Sequence, residues 1–403
     1  MYRNLLCAPR ARAFLISTAF ALVTTFAHAQ TALPSKDLVP TDDPNPVFSD
    51  WGAAVSLLGG RAVVGSLWLG GGLYIFEQSG NQWIQKQHLE TPNVDPERGK
   101  GMGDLIVQDA TGILTTDSTY GYVYYFEKSS AGDFRPKAIL SGGRVGIGDF
   151  ASTNIDMSGC QVVVGAFARP IDQGPRQPGA VHLFDRCNGS MPWRGSLSAP
   201  GGFAGDEFSK SIALVGNEML VGAPGMDGGA GAVFYYTYNG TKWVLKQRFT
   251  QAHPAAGNKF GTALSFRNGL AVISAPTQPD VGQAEVFKRG SNGVWTSQGL
   301  LPVPSSDGTW KRYGSNLTVT PDRVAVAAVA IYPDALGAQV FVYKRAGDVI
   351  TLQNELSFPT ASRIIPADVS LAVNGRGLIV GNPQAVLHEG RTGGKVTIFQ
   401  LLP

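Results

Sequence analysis

The chain has 403 residues, 33 basic against 30 acidic side chains for a formal net charge of +3, and 51 glycines and 25 prolines. Three of the basic residues, Arg3, Arg10 and Arg12, belong to the N-terminal segment; without them the charges balance, which calls for neither nucleic acid nor an anionic membrane surface as partner. Valines, isoleucines and aromatics punctuate the glycines regularly, which excludes a disordered chain and points to many short strands joined by tight turns.

Residues 1–29 read as an export signal. The arginines precede an apolar run from Ala13 to Phe26, and Ala27-His28-Ala29 places small residues where a signal peptidase reads. The run falls short of the roughly 20 residues of a membrane span. A secreted or periplasmic protein is therefore expected, with a single domain over 30–403 and no membrane insertion after signal cleavage.

Next along the chain comes Leu38-Val39-Pro40-Thr41, which resembles the end of an outer strand without a copy of its own. After it a repeat begins. A β-branched strand recurs as Val63-Val64-Gly65-Ser66, Ile113-Leu114-Thr115-Thr116, Val163-Val164-Gly165-Ala166 and Leu220-Val221-Gly222-Ala223-Pro224. Further copies are Val272-Ile273-Ser274-Ala275-Pro276, Ala325-Val326-Ala327-Ala328 and Ile379-Val380-Gly381-Asn382-Pro383. With Val64, Leu114, Val164, Val221, Ile273, Val326 and Val380 as markers, the steps are 50, 50, 57, 52, 53 and 54 residues. Seven copies at this period mean a propeller or a solenoid.

Each copy divides into four strands. A strand after an aromatic-glycine pair, as in Phe260-Gly261, leads through a tight turn such as Asn268-Gly269 to the marker strand; Asn-Gly suits a two-residue hairpin because both residues tolerate positive φ. A variable loop precedes a third strand, as in Leu73-Tyr74-Ile75-Phe76. The fourth often opens on an aromatic: Trp83, Phe134, Trp193, Trp243 and Trp295. The last copy ends after its third strand, so the segment around Leu38 is expected to complete it. That closure favours a ring over a solenoid: an all-β, seven-bladed β-propeller of four-stranded antiparallel blades.

With the repeat laid out, the chain resembles the FG-GAP family, whose best-known members form the integrin α-subunit propeller. Phe260-Gly261 with Ser274-Ala275-Pro276, and Phe208 with Gly222-Ala223-Pro224, carry the likeness; Trp51-Gly52 and Tyr313-Gly314 are aromatic variants, and Met102-Gly103 and Pro366-Ala367 are degenerate ones. The resemblance implies a protein-binding or cell-surface scaffolding module. Several family repeats carry an acidic calcium loop between the first two strands. Here no matching turn has more than one carboxylate, where calcium wants about six to eight oxygen ligands, so no metal site and no cofactor are expected.

Catalysis leaves little trace. His88, His182, His253 and His388 lack zinc-site spacing, and no nucleophile elbow or phosphate loop has a strand-turn-helix setting. A binding protein rather than an enzyme is expected. Cys160 and Cys187 flank the second-to-third-strand loop of the third copy symmetrically and are expected to form a disulfide. Trp83, Trp193, Trp243 and Trp295 share one repeat position and are expected to be packing residues.

In a four-stranded meander the second-to-third loops and the connections between copies share one face, where length and variability concentrate. The candidates there are Trp68 of the first copy, Arg169, Asp172 and Arg176 of the third, and Asp227 of the fourth. Asp280, Tyr332, Asp334, His388 and Arg391 stand in the last three. The expected ligand is a protein or a surface glycan. A lectin-like propeller is the first alternative and a secreted hydrolase or lyase the second.

Overall fold

The computed structural model describes residues 33–41, 50–67, 72–90, 102–117, 121–140, 154–166, 178–277, 281–303, 310–331, 336–360, 369–386 and 392–403. Strand β1 (Ser35–Leu38) comes first. Blade 1 is β2 (Val55–Leu58), β3 (Arg61–Ser66), β4 (Gly72–Ser79) and β5 (Gln82–Glu90). Blade 2 is β6 (Ile106–Gln108), β7 (Gly112–Asp117), β8 (Tyr122–Lys128) and β9 (Phe134–Leu140). Blade 3 is β10 (Ile155–Ser158), β11 (Gln161–Ala166), β12 (Ala180–Asp185) and β13 (Trp193–Leu197). Blade 4 is β14 (Ser211–Val215), β15 (Glu218–Ala223), β16 (Ala232–Tyr238) and β17 (Trp243–Phe249). Blade 5 is β18 (Leu264–Arg267), β19 (Leu270–Ala275), β20 (Gln283–Arg289) and β21 (Trp295–Leu300). Blade 6 is β22 (Trp310–Val319), β23 (Arg323–Ile331), β24 (Leu336–Ala346) and β25 (Val349–Thr360). Blade 7 is β26 (Ser370–Asn374), β27 (Gly377–Val386) and β28 (Thr392–Gln400), and β1 pairs with β28 as its fourth strand.

The ring is thus a seven-bladed propeller closed by its N-terminal strand. The seam is pinned in register, Ser35 opposite Phe399 through Leu38 opposite Val396. Side chains add to it: the Trp51 indole donates to the Leu38 carbonyl at 3.2 Å, and the Thr397 hydroxyl to the Asp37 carboxylate at 2.7 Å. A signal peptide, and the Pro366-Ala367 pair, lie outside the described residues.

The aromatic-glycine and Gly-Ala elements turn out to be two halves of one inter-blade contact. A Cβ on Gly65 would come 2.3 Å from the carbonyl oxygen of Gly103 in the next blade, and one on Gly222 would come 2.2 Å from that of Gly261. At the seam Gly381 meets Gly52 in the same way at 2.3 Å. At these three contacts Gly65, Gly222 and Gly381 have no room for a side chain. The aromatic ahead of the contact, Phe260 before Gly261 or Phe208 before Ser209, fills the space between blades and is fully buried.

The structure corrects one register. The Asp109 amide bonds the Gly112 carbonyl, so the turn of blade 2 holds two residues like its counterparts, and Ile106 pairs with Thr115 as Val55 pairs with Val64. The marker of the second copy is therefore Thr115, not Leu114. A buried threonine at a position otherwise occupied by valine or isoleucine shifted the apolar pattern by one residue.

Candidate functional site

Of the ten loop candidates only Asp227 falls among the described residues; Trp68, Arg169, Asp172, Arg176, Asp280, Tyr332, Asp334, His388 and Arg391 lie outside them. The loop-rich face is described most fully around blade 4. There the loop between β15 and β16 makes a single turn, Met226–Gly229, with Asp227 at φ 54° and Gly228 at φ 70°. This loop is stitched to both neighbouring connections. The Gly225 amide bonds the Asp206 carbonyl at 3.0 Å, and the Lys259 amide bonds the Gly229 carbonyl at 2.9 Å. A Cβ on Gly225 would lie 1.9 Å from the Gly205 carbonyl oxygen, so this close approach requires glycine.

Charged side chains gather on that rigid frame. The Asp227 carboxylate pairs with Arg248, whose guanidinium also lies 6.0 Å from the Phe234 ring centroid. Glu207 and Lys259 approach to 3.9 Å, each about one-third exposed. The Asp206 carboxylate accepts from the Phe203 amide at 2.7 Å and holds a turn that leaves the Phe203 ring 76% exposed. An exposed aromatic on a hydrogen-bonded turn, flanked by both signs of charge, is suited to contact another surface.

Sequence reasoning missed a second recurring feature. The residue directly before the repeat aromatic has positive φ in four blades: Asp50 at 43°, Glu207 at 55°, Lys259 at 59° and Arg312 at 56°. Non-glycine residues there cost of order 1 kcal/mol each and persist because the surrounding contacts impose the conformation. All four are charged, so in these four blades the inter-blade contact carries an ionic side chain at its loop end. The signal was available as a charge preceding Trp51, Phe208, Phe260 and Tyr313, but only the backbone shows why that position is special.

On the axis, alternate residues of the innermost strands replace water in bonding the next blade. The Ser265 hydroxyl accepts from the Val319 amide at 3.1 Å, and the Ser370 hydroxyl donates to the Gly52 carbonyl at 2.8 Å. Asp156 does the same with a carboxylate, accepting from the Leu214 amide at 2.6 Å and from Met157 at 2.8 Å. Burial pushes its carboxyl up to about 7, against the opposing pull of those two amides and Arg267. The equivalent positions, Ser56, Val107, Ala213, Ser265, Thr318 and Ala372, offer no second carboxylate at that level. A perturbed acid in a channel marks a place to look for function; here its geometry is that of a joint between blades 3 and 4.

The opposite, turn-built face carries Cys160–Cys187, a disulfide with Cα atoms 5.1 Å apart. Together with Asp185 these sulfurs form the one tight group of potential metal donors among the described residues, and the disulfide occupies them. Asp109 in the turn of blade 2 accepts from Thr111 and Gly112 and pairs with Arg186. Burial raises its carboxyl, but Arg186 and Thr111 outweigh that and hold it below the ordinary range. His182 is buried, its Nδ1 3.0 Å from the Ser196 hydroxyl across the sheet. Trp243 and Trp295 are buried as expected and Trp83 partly so, but Trp193 is 54% exposed and is not a packing residue. Its register explains this. Trp193 pairs with Phe184 as Ser297 pairs with Phe287, two residues past the seat that Trp295 takes. Met191, 3% exposed, fills that seat in a cluster with Tyr125 and Ala138.

Among known proteins, the FG-GAP repeat family model matches residues 194–236, from the outer strand of blade 3 through most of the third strand of blade 4. A stretch of 98 residues is 28% identical to integrin alpha-2 of Bos taurus; it covers 23% of this chain and 8% of that protein, far below two-thirds of its length. A solved protein from Lactobacillus plantarum superposes with a TM-score of 0.51 at 12% identity, over 75% of this chain and 84% of the other. A proposed 6-phosphogluconolactonase from Bacteroides uniformis gives 0.49 at 12% identity, over 76% and 85%. The first likeness is one of fold alone, and the second is too distant to bear on chemistry.

Proposed function

We propose that this FG-GAP, integrin-like β-propeller is a secreted or periplasmic scaffold that binds a protein partner through its loop-rich face. The observation that carries the reading is the rigid ionic and aromatic surface of blade 4, with Phe203, Glu207, Asp227 and Lys259 on loops locked by backbone hydrogen bonds and Arg248 on β17 beside them. Pre-organised loops on a closed scaffold lose little entropy on binding. The matched repeat spans the same blade. A disulfide suits an oxidising compartment, and among the described residues no helix is long and apolar enough to cross a membrane.

The test compares the wild-type chain with Phe203→Ala and with Glu207→Lys paired with Asp227→Lys, as baits in envelope extracts and on a glycan array. The expected result is a protein captured by the wild type and lost with both variants. Capture insensitive to these changes, or retention on glycans alone, would replace this reading by another face or by the lectin.

A further inference from the structure

The balanced charge of the whole chain conceals a polarised turn-built face. Around blades 2 to 4 the turn arginines and carboxylates match: Arg186 pairs with Asp109, and Glu218 with Arg289 of blade 5. Farther round, the match fails. Arg267, the last residue of β18 at that turn, is exposed and makes no ion pair, although its charge reaches Asp156. Arg345, after β24, spends its guanidinium on the carbonyls of Gly347 and Pro321, and Arg376, between β26 and β27, donates to the Leu401 carbonyl. Among the described residues none of these three has a carboxylate within ion-pair distance.

The same sector carries aliphatic tips. Val294 and Val349 head the turns before β21 and β25, at 43% and 60% exposure, and Leu402 follows β28 at 43%. No exposed valine, leucine or isoleucine stands in the described turns of blades 1 to 4. Two contacts tie the sector into one surface. Lys288 of blade 5 bonds Asp348, next to Val349, at 2.6 Å; Lys344 of blade 6 reaches the Pro403 carbonyl at 2.8 Å.

We propose that this sector of the turn face rests on an anionic lipid bilayer. Aliphatic side chains on turn tips protrude rather than line a pocket, which suits shallow entry between headgroups better than seating a folded partner's anchor. None of the three arginines is committed to a carboxylate at ion-pair distance. Arg267 is exposed, and Arg345 and Arg376 keep N–H groups beyond their bonds to backbone carbonyls, so each can present guanidinium donors to lipid phosphates. The loop-rich face then points away from the membrane. The proposal does not depend on what that face binds.

The measurement is co-sedimentation of the protein without residues 1–29 with vesicles of phosphatidylcholine alone or with ~30% phosphatidylglycerol, at low and high salt. Binding is expected on the anionic vesicles only and is released by salt. The triple variant Arg267→Glu, Arg345→Glu, Arg376→Glu is expected to weaken it on the order of 100-fold. Val349→Asp should weaken it several-fold, and Lys259→Glu on the opposite face should leave it unchanged. Sedimentation no greater with the anionic vesicles overturns the proposal, as does binding that survives both Val349→Asp and high salt should the triple variant fail to fold. An acidic protein held at this face without vesicle binding overturns it too. None of these outcomes touches capture through Phe203 and Glu207, so the two readings fail separately.

Discussion

The junction between blades 4 and 5 and the junction between blades 2 and 3 use one ionic device and differ in everything else. In the first, Arg289 meets Glu218 and lies 3.0 Å from the Tyr235 hydroxyl; in the second, Arg186 meets Asp109 and lies over Tyr125. Beside the first, Gln247 clamps the backbone of Trp295 with two hydrogen bonds, accepting at 2.8 Å and donating at 2.9 Å. Trp295 is then 2% exposed, edge-on to Tyr235 and Phe266. Gln87 clamps Phe134 in the same way between blades 1 and 2. In the second junction the clamp position is Ala138, which pairs with Tyr125 as Gln247 pairs with Tyr235. Trp193 stands out in solvent, and the disulfide of blade 3 braces the turn that carries Arg186. The seat is filled in both junctions: in blade 3 Met191 takes it, clustered with Tyr125 and Ala138, and Trp193 stands two residues beyond it.

The widest separation is expected from Trp295→Ala against Trp193→Ala. Urea denaturation should show a loss of about 3–5 kcal/mol for the buried indole and within ~0.5 kcal/mol for the exposed one. Equal losses would end the comparison.

Opening the Cys160–Cys187 bridge, which closes a 27-residue separation, should cost ~3 kcal/mol on the chain-entropy account. Wild type with and without reductant, beside Cys160→Ser with Cys187→Ser, measures it. An unchanged midpoint would mean the second junction needs no brace.

Between the two junctions lies Asp156, whose folded carboxyl titrates near 7 against an ordinary value of 3.8. Because the folded state holds the proton more tightly, the stability from this group is complete below about pH 4. It is lost as the pH rises toward 7, by up to a few kcal/mol. Asp156→Ser, copying Ser265, should remove that fall, so the difference between wild type and variant should change across pH 4–7 and be flat above it. A constant difference over that window would show that the carboxyl is not perturbed.

The smallest pair of effects concerns the clamp itself. Gln247→Ala should cost about 1–2 kcal/mol, because it leaves backbone groups at Trp295 without partners. Ala138→Gln should gain at most ~1 kcal/mol by bonding the backbone at Met191 and leave the fluorescence of the exposed Trp193 unchanged. No change in stability with either variant would mean the glutamine does not govern the seat.

Much of the architecture was legible beforehand. The strand count, the closure near Leu38, the disulfide and the short outer strand of blade 3 all follow from spacing, because each blade repeats one pattern and the last copy lacks one strand. The site was far less so. Asp227 stood out by loop position, but Phe203, Glu207 and Lys259 did not, since a backbone at positive φ before an aromatic leaves no mark in composition. Trp193 was read as buried from its apparent repeat position, but the pairing of β13 with β12 sets it two residues beyond the seat, which Met191 fills.

The amino-acid sequence by itself therefore determined the blades: local strand pattern, turn chemistry and a repeat that counts itself. Only the tertiary structure decided what happens between them. It brings Gly222 within reach of Gly261, joins Asp156 to Leu214, and exposes Arg267 and Val349 on one sector of the turn face. Those contacts link residues some forty to sixty positions apart and end on backbone atoms every residue shares, so no residue type announces them in advance.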